Sequence, residues 1–297
     1  MKVCFFCFHD CSQNSAFAYL IIQIDNIQLI TVRHSLEYRY KKMKKYLVLA
    51  ITCLLVTAAM AVAPKLRGNV FVSLKTKNET SQIVARQTLQ FSLLVPELAG
   101  TLRLGVIKGG ESRWAEQLKS TTFINKKGAL EYQLKDTLLG KGYLSVKAVA
   151  LTVTDGIIME IEAVNTTEGL ELFWAAGAAS GKVTDAADAF LKPEWCKDNV
   201  FVMERNDLSL FYGESMKLKI YNYVFPVETE SRVGDAHQQT TTLQFFNSGK
   251  KTDAHALVGK FPLIGGKKYY ICAYRQNKEA DFDYSLLPAV FSKANAK

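Results

Sequence analysis

The sequence predicts a mainly β protein, a two-layer antiparallel β-sandwich of the supersandwich kind with a short C-terminal helix. Three observations carry this reading. Apolar residues alternate with period two over most of residues 66–280, turn residues break these runs at short intervals, and helical periodicity is confined to two short stretches. With 297 residues, 48% of them hydrophobic and 22% charged, disorder is excluded as a class.

The front of the chain is read separately. From Met43, the pair Lys44-Lys45, the apolar run Leu47 to Val56 and the small residues Thr57 to Ala63 make a secretory signal. The apolar run is too short to span a bilayer, so the membrane enters only through this signal during export. Pro64 disfavours a cut after Ala63, which places the expected cleavage after Ala61 and the signal at residues 43–61. Residues 1–42 then read as an upstream extension from a mis-assigned start codon, with Cys4, Cys7 and Cys11 beside Phe5, Phe6 and Phe8 in an irregular composition. The remaining chain, from Val62, has 30 basic and 25 acidic residues, so its excess is +5 rather than the +9 of the whole sequence. That balance is weak as a nucleic-acid signal and fits an exported, periplasmic or secreted bacterial protein.

Within residues 62–283, read as one sandwich domain, the strands follow in order. Val70, Val72 and Leu74 alternate with Phe71, Ser73 and Lys75, and Leu130, Tyr132 and Leu134 with Glu131, Gln133 and Lys135. Tyr143 to Val153 and Ile157 to Val164 form a hairpin, whose turn at Thr154-Asp155-Gly156 uses the readiness of Asp-Gly for positive φ. Further strands are expected at 169–176, 200–205, 208–212, 216–224, 240–246, 254–260 and 268–275. Helical character is restricted to Ala186 to Phe190 and to the tail, 284–297. There Leu287, Val290, Phe291 and Ala294 form one apolar stripe in need of a surface to bury it. The tail reads as the start of a truncated linker helix.

The segment from Gly169 to Asn199 carries the candidate site. A loop this long in a sandwich is commonly functional. Trp174 and Trp195 can each stack on a sugar ring through the broad indole face, with Glu194 and Asn199 binding hydroxyls. The bland alternative for Trp174, which sits on an alternating strand, is the core; Trp195 is divided between stacking and packing, and Trp114 reads as a cap over the sheet edge. Gly177 to Lys182 is not a phosphate loop: the spacing is too short, and Val183 stands where a Ser or Thr is required. Neither His237 nor His255 has a partner at metal-ligand spacing, so no metal or other cofactor is expected, and no serine-nucleophile elbow occurs. Cys196 and Cys272, the two thiols after the signal, are a disulfide candidate in an exported chain.

Three segments together resemble a bacterial family. Asp136-Thr137-Leu138-Leu139-Gly140-Lys141-Gly142, Leu172 to Lys182 and Lys192-Pro193-Glu194-Trp195-Cys196-Lys197-Asp198-Asn199 are similar to a domain of unknown function found as the N-terminal β-sandwich of large exported proteins. In those proteins the following part looks like an alpha/alpha toroid of the glycoside hydrolase type. The resemblance spans about residues 85–295. It implies that Ser180, Lys182 and the 192–199 loop, with Lys192, Glu194, Trp195 and Asn199, face a sugar or the toroid domain. It also implies that the acid and base carboxylates of hydrolysis belong to the toroid.

The function expected from these readings is an exported, carbohydrate-associated β-sandwich module, noncatalytic alone, with an oligosaccharide or polysaccharide and an alpha/alpha toroid catalytic domain as partners. Two alternatives stay open. One is a complete small sugar epimerase or lyase using Glu194 with His237 or His255 for proton transfer; the other is a structural surface protein.

Overall fold

Period-two alternation becomes sixteen strands among the described residues. The computed structural model describes residues 71–95, 98–126, 128–180, 191–197, 199–212 and 221–296. The expected signal at residues 43–61, residues 1–42, the 186–190 stretch and Lys182 lie outside them. The strands are β1 (Phe71–Lys75), β2 (Gln82–Arg86), β3 (Gln90–Val95), β4 (Leu98–Lys108), β5 (Glu111–Trp114), β6 (Ser120–Lys126), β7 (Ala129–Lys135) and β8 (Tyr143–Ala150). They continue with β9 (Gly156–Val164), β10 (Leu170–Ser180), β11 (Asn199–Glu204), β12 (Asp207–Tyr212), β13 (Tyr221–Val224), β14 (Glu230–Asp235), β15 (His255–Pro262) and β16 (Lys268–Arg275).

They form two antiparallel sheets. The first runs β1-β2-β3-β4-β10-β15-β14, with β5 paired to the second half of β4; the second runs β11-β12-β13-β16-β9-β8-β7-β6. The core between them takes alternate residues from each central strand. From β10 come Leu170, Leu172, Trp174 and Ala176, and from β16 Tyr269, Ile271 and Ala273. The intervening residues of these strands are also apolar, because both sheets are roofed on their outer faces. Phe173 and Ala175 lie under two short helices, α1 (Pro193–Cys196) and α2 (Thr242–Asn247). Cys272 and Tyr274 lie under α3 (Leu287–Asn295).

The tail stripe is therefore already buried. Leu287 and Phe291 are in the outer cluster of the second sheet, and Val290 and Ala294 pack against it. At the other extreme of burial, the Trp174 indole stacks on Phe225 at 3.7 Å between ring centroids. Gly259, its cross-strand partner, leaves the space: a Cβ there would come within 2.3 Å of the indole.

Three local expectations are corrected. Residues 240–246 are not a strand, since 242–247 form α2. Thr241 caps this helix, its hydroxyl accepting from the Gln244 amide at 3.1 Å, and the helix turns both Phe245 and Phe246 onto the sheet. β-propensity is overridden there by tertiary burial. The Asp-Gly pair is not a two-residue hairpin turn either. Gly156 opens β9 without a positive φ, and it is glycine because a Cβ would meet the Ala273 carbonyl at 2.7 Å and Tyr274 Cβ at 2.5 Å. Asp155 instead accepts from the Asn78 backbone amide (3.0 Å), Asn78 Nδ2 (2.6 Å) and Ser81 Oγ (3.1 Å), fastening the β1–β2 turn to β9. Burial alone would raise the Asp155 carboxyl, but these donors outweigh it and hold it below the usual carboxylate range. Lastly, Cys196 and Cys272 do not pair. The first lies on the outer face of the first sheet and the second on the outer face of the other, so the whole sandwich separates them.

The stretch Asp136 to Gly142 has a local physical account. Asp136 caps a single 3-10 turn, Thr137–Leu139, accepting from the Leu138 amide (3.0 Å) and the Lys119 amide (2.9 Å), and it pairs with Arg113. Burial pushes its carboxyl up; the Leu138 amide, Arg113 and the Lys119 amide together hold it below the ordinary value.

Candidate functional site

The candidate residues that the structure brings together sit on the outer face of the first sheet. Pro193 opens α1 at a position where its missing N–H costs nothing, and Lys192 precedes it in extended conformation. The helix packs on β10 and β15 through Cys196, which is fully buried, while Leu191 is buried just before it. Asn199, at the start of β11, donates from Nδ2 to the Trp195 carbonyl at 3.1 Å and so ties the end of α1 down. Trp195 is half-buried, resting on the outer apolar cluster, and the Lys192 ammonium lies 4.6 Å from the centre of its ring. Glu194 is exposed on the same helix.

Two neighbouring loops complete the surface. Asp253 receives His237 Nε2 at 2.9 Å and Lys197 Nζ at 3.5 Å, joining the exit of β14 and the entry of β15 to the end of α1. The His237 ring, then the Lys197 ammonium, hold the Asp253 carboxyl below its usual range. Asp235 is buried behind them and accepts from the His237 amide (3.0 Å), Gln238 Nε2 (3.2 Å) and Thr252 Oγ1 (2.7 Å). Gln239 continues the network inward. Its Nε2 donates to the Leu191 carbonyl (2.6 Å) and the Ala236 carbonyl (2.5 Å), and its own carbonyl accepts from Trp114 Nε1 at 2.8 Å.

Of the sequence-predicted residues, Lys192, Glu194 and Trp195 are thus on one surface, while Asn199, expected to bind hydroxyls, is buried beneath them with its amide committed to the Trp195 carbonyl. Trp174 is not: its side chain is fully buried on the opposite, inner face of β10, so it is core and not a sugar platform. The reason is register, since Trp174 and Phe173 are adjacent on the strand and point to opposite faces. Ser180 is the last residue of β10 and its backbone pairs with Ala99. Neither histidine hydrogen-bonds Glu194 among the described residues; His255 Nε2 is committed to the Lys250 carbonyl at 3.2 Å. Trp114, expected at a sheet edge, is buried in the outer cluster, edge-on to Phe173 at 5.3 Å and covered by the Arg103 guanidinium at 3.7 Å.

Sequence reasoning missed Lys197, His237 and Asp253 as a unit. No spacing signal could have found them, because they come from three elements brought together by strand pairing. A second acidic grouping, equally invisible in the sequence, lies on the outer face of the other sheet. There Glu204 faces Asp207 across β11 and β12. Burial, then the charges of Asp281, Glu204 and Asp283, push the Asp207 carboxyl up to about 6. Among the described residues, no group of three or more His, Cys, Asp or Glu side chains is arranged to hold a metal ion.

The family described as a domain of unknown function, DUF4450, matches residues 95–295. No curated protein matches the chain. Among solved structures, the chain is similar to a bacterial glucoamylase complexed with acarbose. The TM-score is 0.50 at 8% identity, over 76% of this chain and 38% of that one. A family GH92 inverting mannosidase from Bacteroides thetaiotaomicron aligns with a TM-score of 0.44 at 10% identity, over 77% of this chain and 33% of that one. This chain therefore spans 38% and 33% of the lengths of those two proteins, and at 8% identity the likeness to the glucoamylase is one of fold.

Proposed function

From the premise that this chain belongs to the DUF4450 family, we propose that it is the β-sandwich module of an exported carbohydrate-processing protein and is noncatalytic by itself. The observation that carries this reading is the fold likeness to a glucoamylase of which the chain spans only part. The surface at α1 adds to that likeness. It offers an indole that is partly exposed, an exposed carboxylate in Glu194 and a hydrogen-bonding rim from Lys197, His237 and Asp253. Flat apolar area beside convergent polar groups suits the alternating faces and edges of a pyranose.

In this proposal the signal at 43–61 directs export with cleavage after Ala61, and the chain works in the periplasm or outside the cell. The catalytic carboxylates belong to an alpha/alpha toroid partner. A glycan array on the exported protein tests the carbohydrate reading. Retention on at least one glycan class that is lost in Trp195→Ala supports it. No retention on any glycan, or retention indifferent to Trp195, refutes a sugar face at α1. The export reading is checked by the location and N-terminal sequence of the product: a periplasmic or secreted product beginning at Val62 is expected, and an intracellular product that keeps Met1 overturns it.

A further inference from the structure

We infer that a groove at one end of the sandwich holds an extended, neutral oligosaccharide chain; this rests on the carbohydrate reading above and names a site separate from the surface at α1. Three turns build it. Leu170 pairs with Lys108 and Glu171 with Pro262, so the β4–β5, β9–β10 and β15–β16 turns lie side by side at the ends of three neighbouring strands. Thr167 pins the Thr137–Leu139 turn beside them, its amide donating to the Leu139 carbonyl (3.4 Å) and its hydroxyl to the Leu138 carbonyl (3.1 Å). Three cavities run along these turns. One of about 450 Å³ lies between the β4–β5 turn and α2, one of about 420 Å³ between the β4–β5 and β9–β10 turns, and one of about 670 Å³ between the β9–β10 and β15–β16 turns. Glu111 lines both the first and the second, and Glu168 and Gly169 line both the second and the third, so the three adjoin in a row. Each has the size of a ligand pocket, and a row of them suits a chain of linked units better than one compact molecule.

Neither conformation nor packing requires two of the glycines on its wall. Gly110 lines the first cavity and Gly265 the third, and neither has a positive φ. A Cβ at Gly110 would meet no atom within 4 Å, and one at Gly265 only the Ala163 carbonyl oxygen at 3.9 Å, an ordinary contact. The fold admits a side chain at both places, and what that side chain would fill is the groove. Glycine there lets a ligand approach the backbone closely.

The lining sets the class of ligand. The Gln244 and Asn247 amides and the Glu168 carboxylate are exposed in the groove and make no hydrogen bond or ion pair among the described residues. The two cations among the described lining residues are engaged: Arg113 pairs with Asp136 and Glu111, and Lys108 Nζ donates to Thr167 Oγ1 at 2.6 Å. Three carboxylates, Glu111, Glu168 and Glu171, line the same groove. An anionic chain meets like charge there, whereas the hydroxyls of a neutral sugar both donate to carboxylates and exchange hydrogen bonds with amides.

The full chain is titrated calorimetrically with maltohexaose, cellohexaose and mannohexaose, with the matching disaccharides, and with hexagalacturonate. A neutral hexasaccharide is expected to bind about tenfold tighter than its disaccharide, because the longer chain makes further hydrogen bonds along the row. Gly110→Gln and Gly265→Gln, each filling a cavity without backbone strain, are expected to weaken the hexasaccharide about tenfold, the worth of one or two lost hydrogen bonds, with the melting temperature within about 2 °C of the parent. Gln244→Ala, which removes only an exposed amide, is expected to weaken it about threefold. Trp195→Ala is expected to leave this binding unchanged. Hexasaccharide binding that is lost in Trp195→Ala and indifferent to the three groove substitutions overturns the groove and leaves the carbohydrate reading at α1 standing. Equal affinity for hexasaccharide and disaccharide overturns the extended site, and hexagalacturonate binding tighter than every neutral hexasaccharide overturns the ligand class. No binding of any saccharide overturns both the inference and the carbohydrate reading.

Discussion

The two outer faces of the sandwich are both roofed by short helices over aromatic side chains, but different charged groups lie beside their rings. On the first sheet Trp114, Phe173, Phe245 and Phe246 form the outer cluster, and cations close it. Arg103 lies 3.7 Å from the Trp114 ring centre, Arg232 3.9 Å from Phe246, and Lys192 4.6 Å from Trp195. On the second sheet Tyr274 meets Phe282 at 4.7 Å and Tyr270 meets Phe291 at 5.8 Å, with α3 as the cover. Its rim carries Glu204, Asp207, Asp281 and Asp283. The difference follows from the ring quadrupole. A cation gains by lying on the negative aromatic face, so it can serve as both cover and rim; a carboxylate cannot, and crowds its own kind instead.

The largest effect expected from breaking this contrast is at Trp114. Trp114→Ala removes the edge contact with Phe173, the Arg103 stack and the bond to the Gln239 carbonyl together. It should cost about 3–5 kcal/mol in urea unfolding. A loss below about 1 kcal/mol would mean that this cluster does not hold the first face. Phe291→Ala comes next, at about 2–3 kcal/mol, because a terminal helix can undock without the sandwich unfolding. Native-state thiol labelling mapped by mass spectrometry reads it directly. Cys272 becomes reactive when α3 lifts, whereas Cys196, under the other face, stays protected. Equal labelling of the two cysteines would contradict the separation of the faces.

A smaller effect concerns pH. The Asp207 carboxyl titrates at about 6 in the folded protein against an ordinary value of 3.8, so the folded chain holds this proton more tightly than the unfolded one. Its contribution is fully present below about pH 3.8 and is lost as pH rises through about 6. Asp207→Asn should therefore gain melting temperature relative to the parent between pH 5 and 7.5, and an unchanged difference across that range would exclude the crowding account. The smallest effect on stability is expected for Trp195→Ala, under about 1 kcal/mol, since the indole is half-exposed and its loss opens no core cavity. A cost near that of Trp114→Ala would make Trp195 a packing residue.

Much of the candidate site was hidden for a definite reason. The 192–199 segment stands out by composition, and Lys192, Glu194 and Trp195 do share one surface, with Asn199 buried beneath it. Trp174 was readable as core from its place on an alternating strand. Its stacking partner Phe225 and the glycine that admits it lie 51 and 85 positions away, where no local pattern reaches. Asp155 looked like half of a turn because Asp-Gly is a turn pair in isolation; its three donors come from Asn78 and Ser81, on a different hairpin.

Side-chain alternation along the chain by itself determined that this protein is built of strands packed in two antiparallel layers. The spacing of Leu287, Val290, Phe291 and Ala294 likewise determined a helix at the tail. Period is a property of neighbouring residues, and burying one face of a strand or helix is enough to select it. Only the tertiary structure decided which strands are covered on both faces, that 242–247 coil into a helix, and that the two cysteines stand on opposite sides. It alone joined Lys197, His237 and Asp253. Those outcomes depend on which distant surfaces meet, and the free energy of burying them outweighs the local preferences of the residues involved.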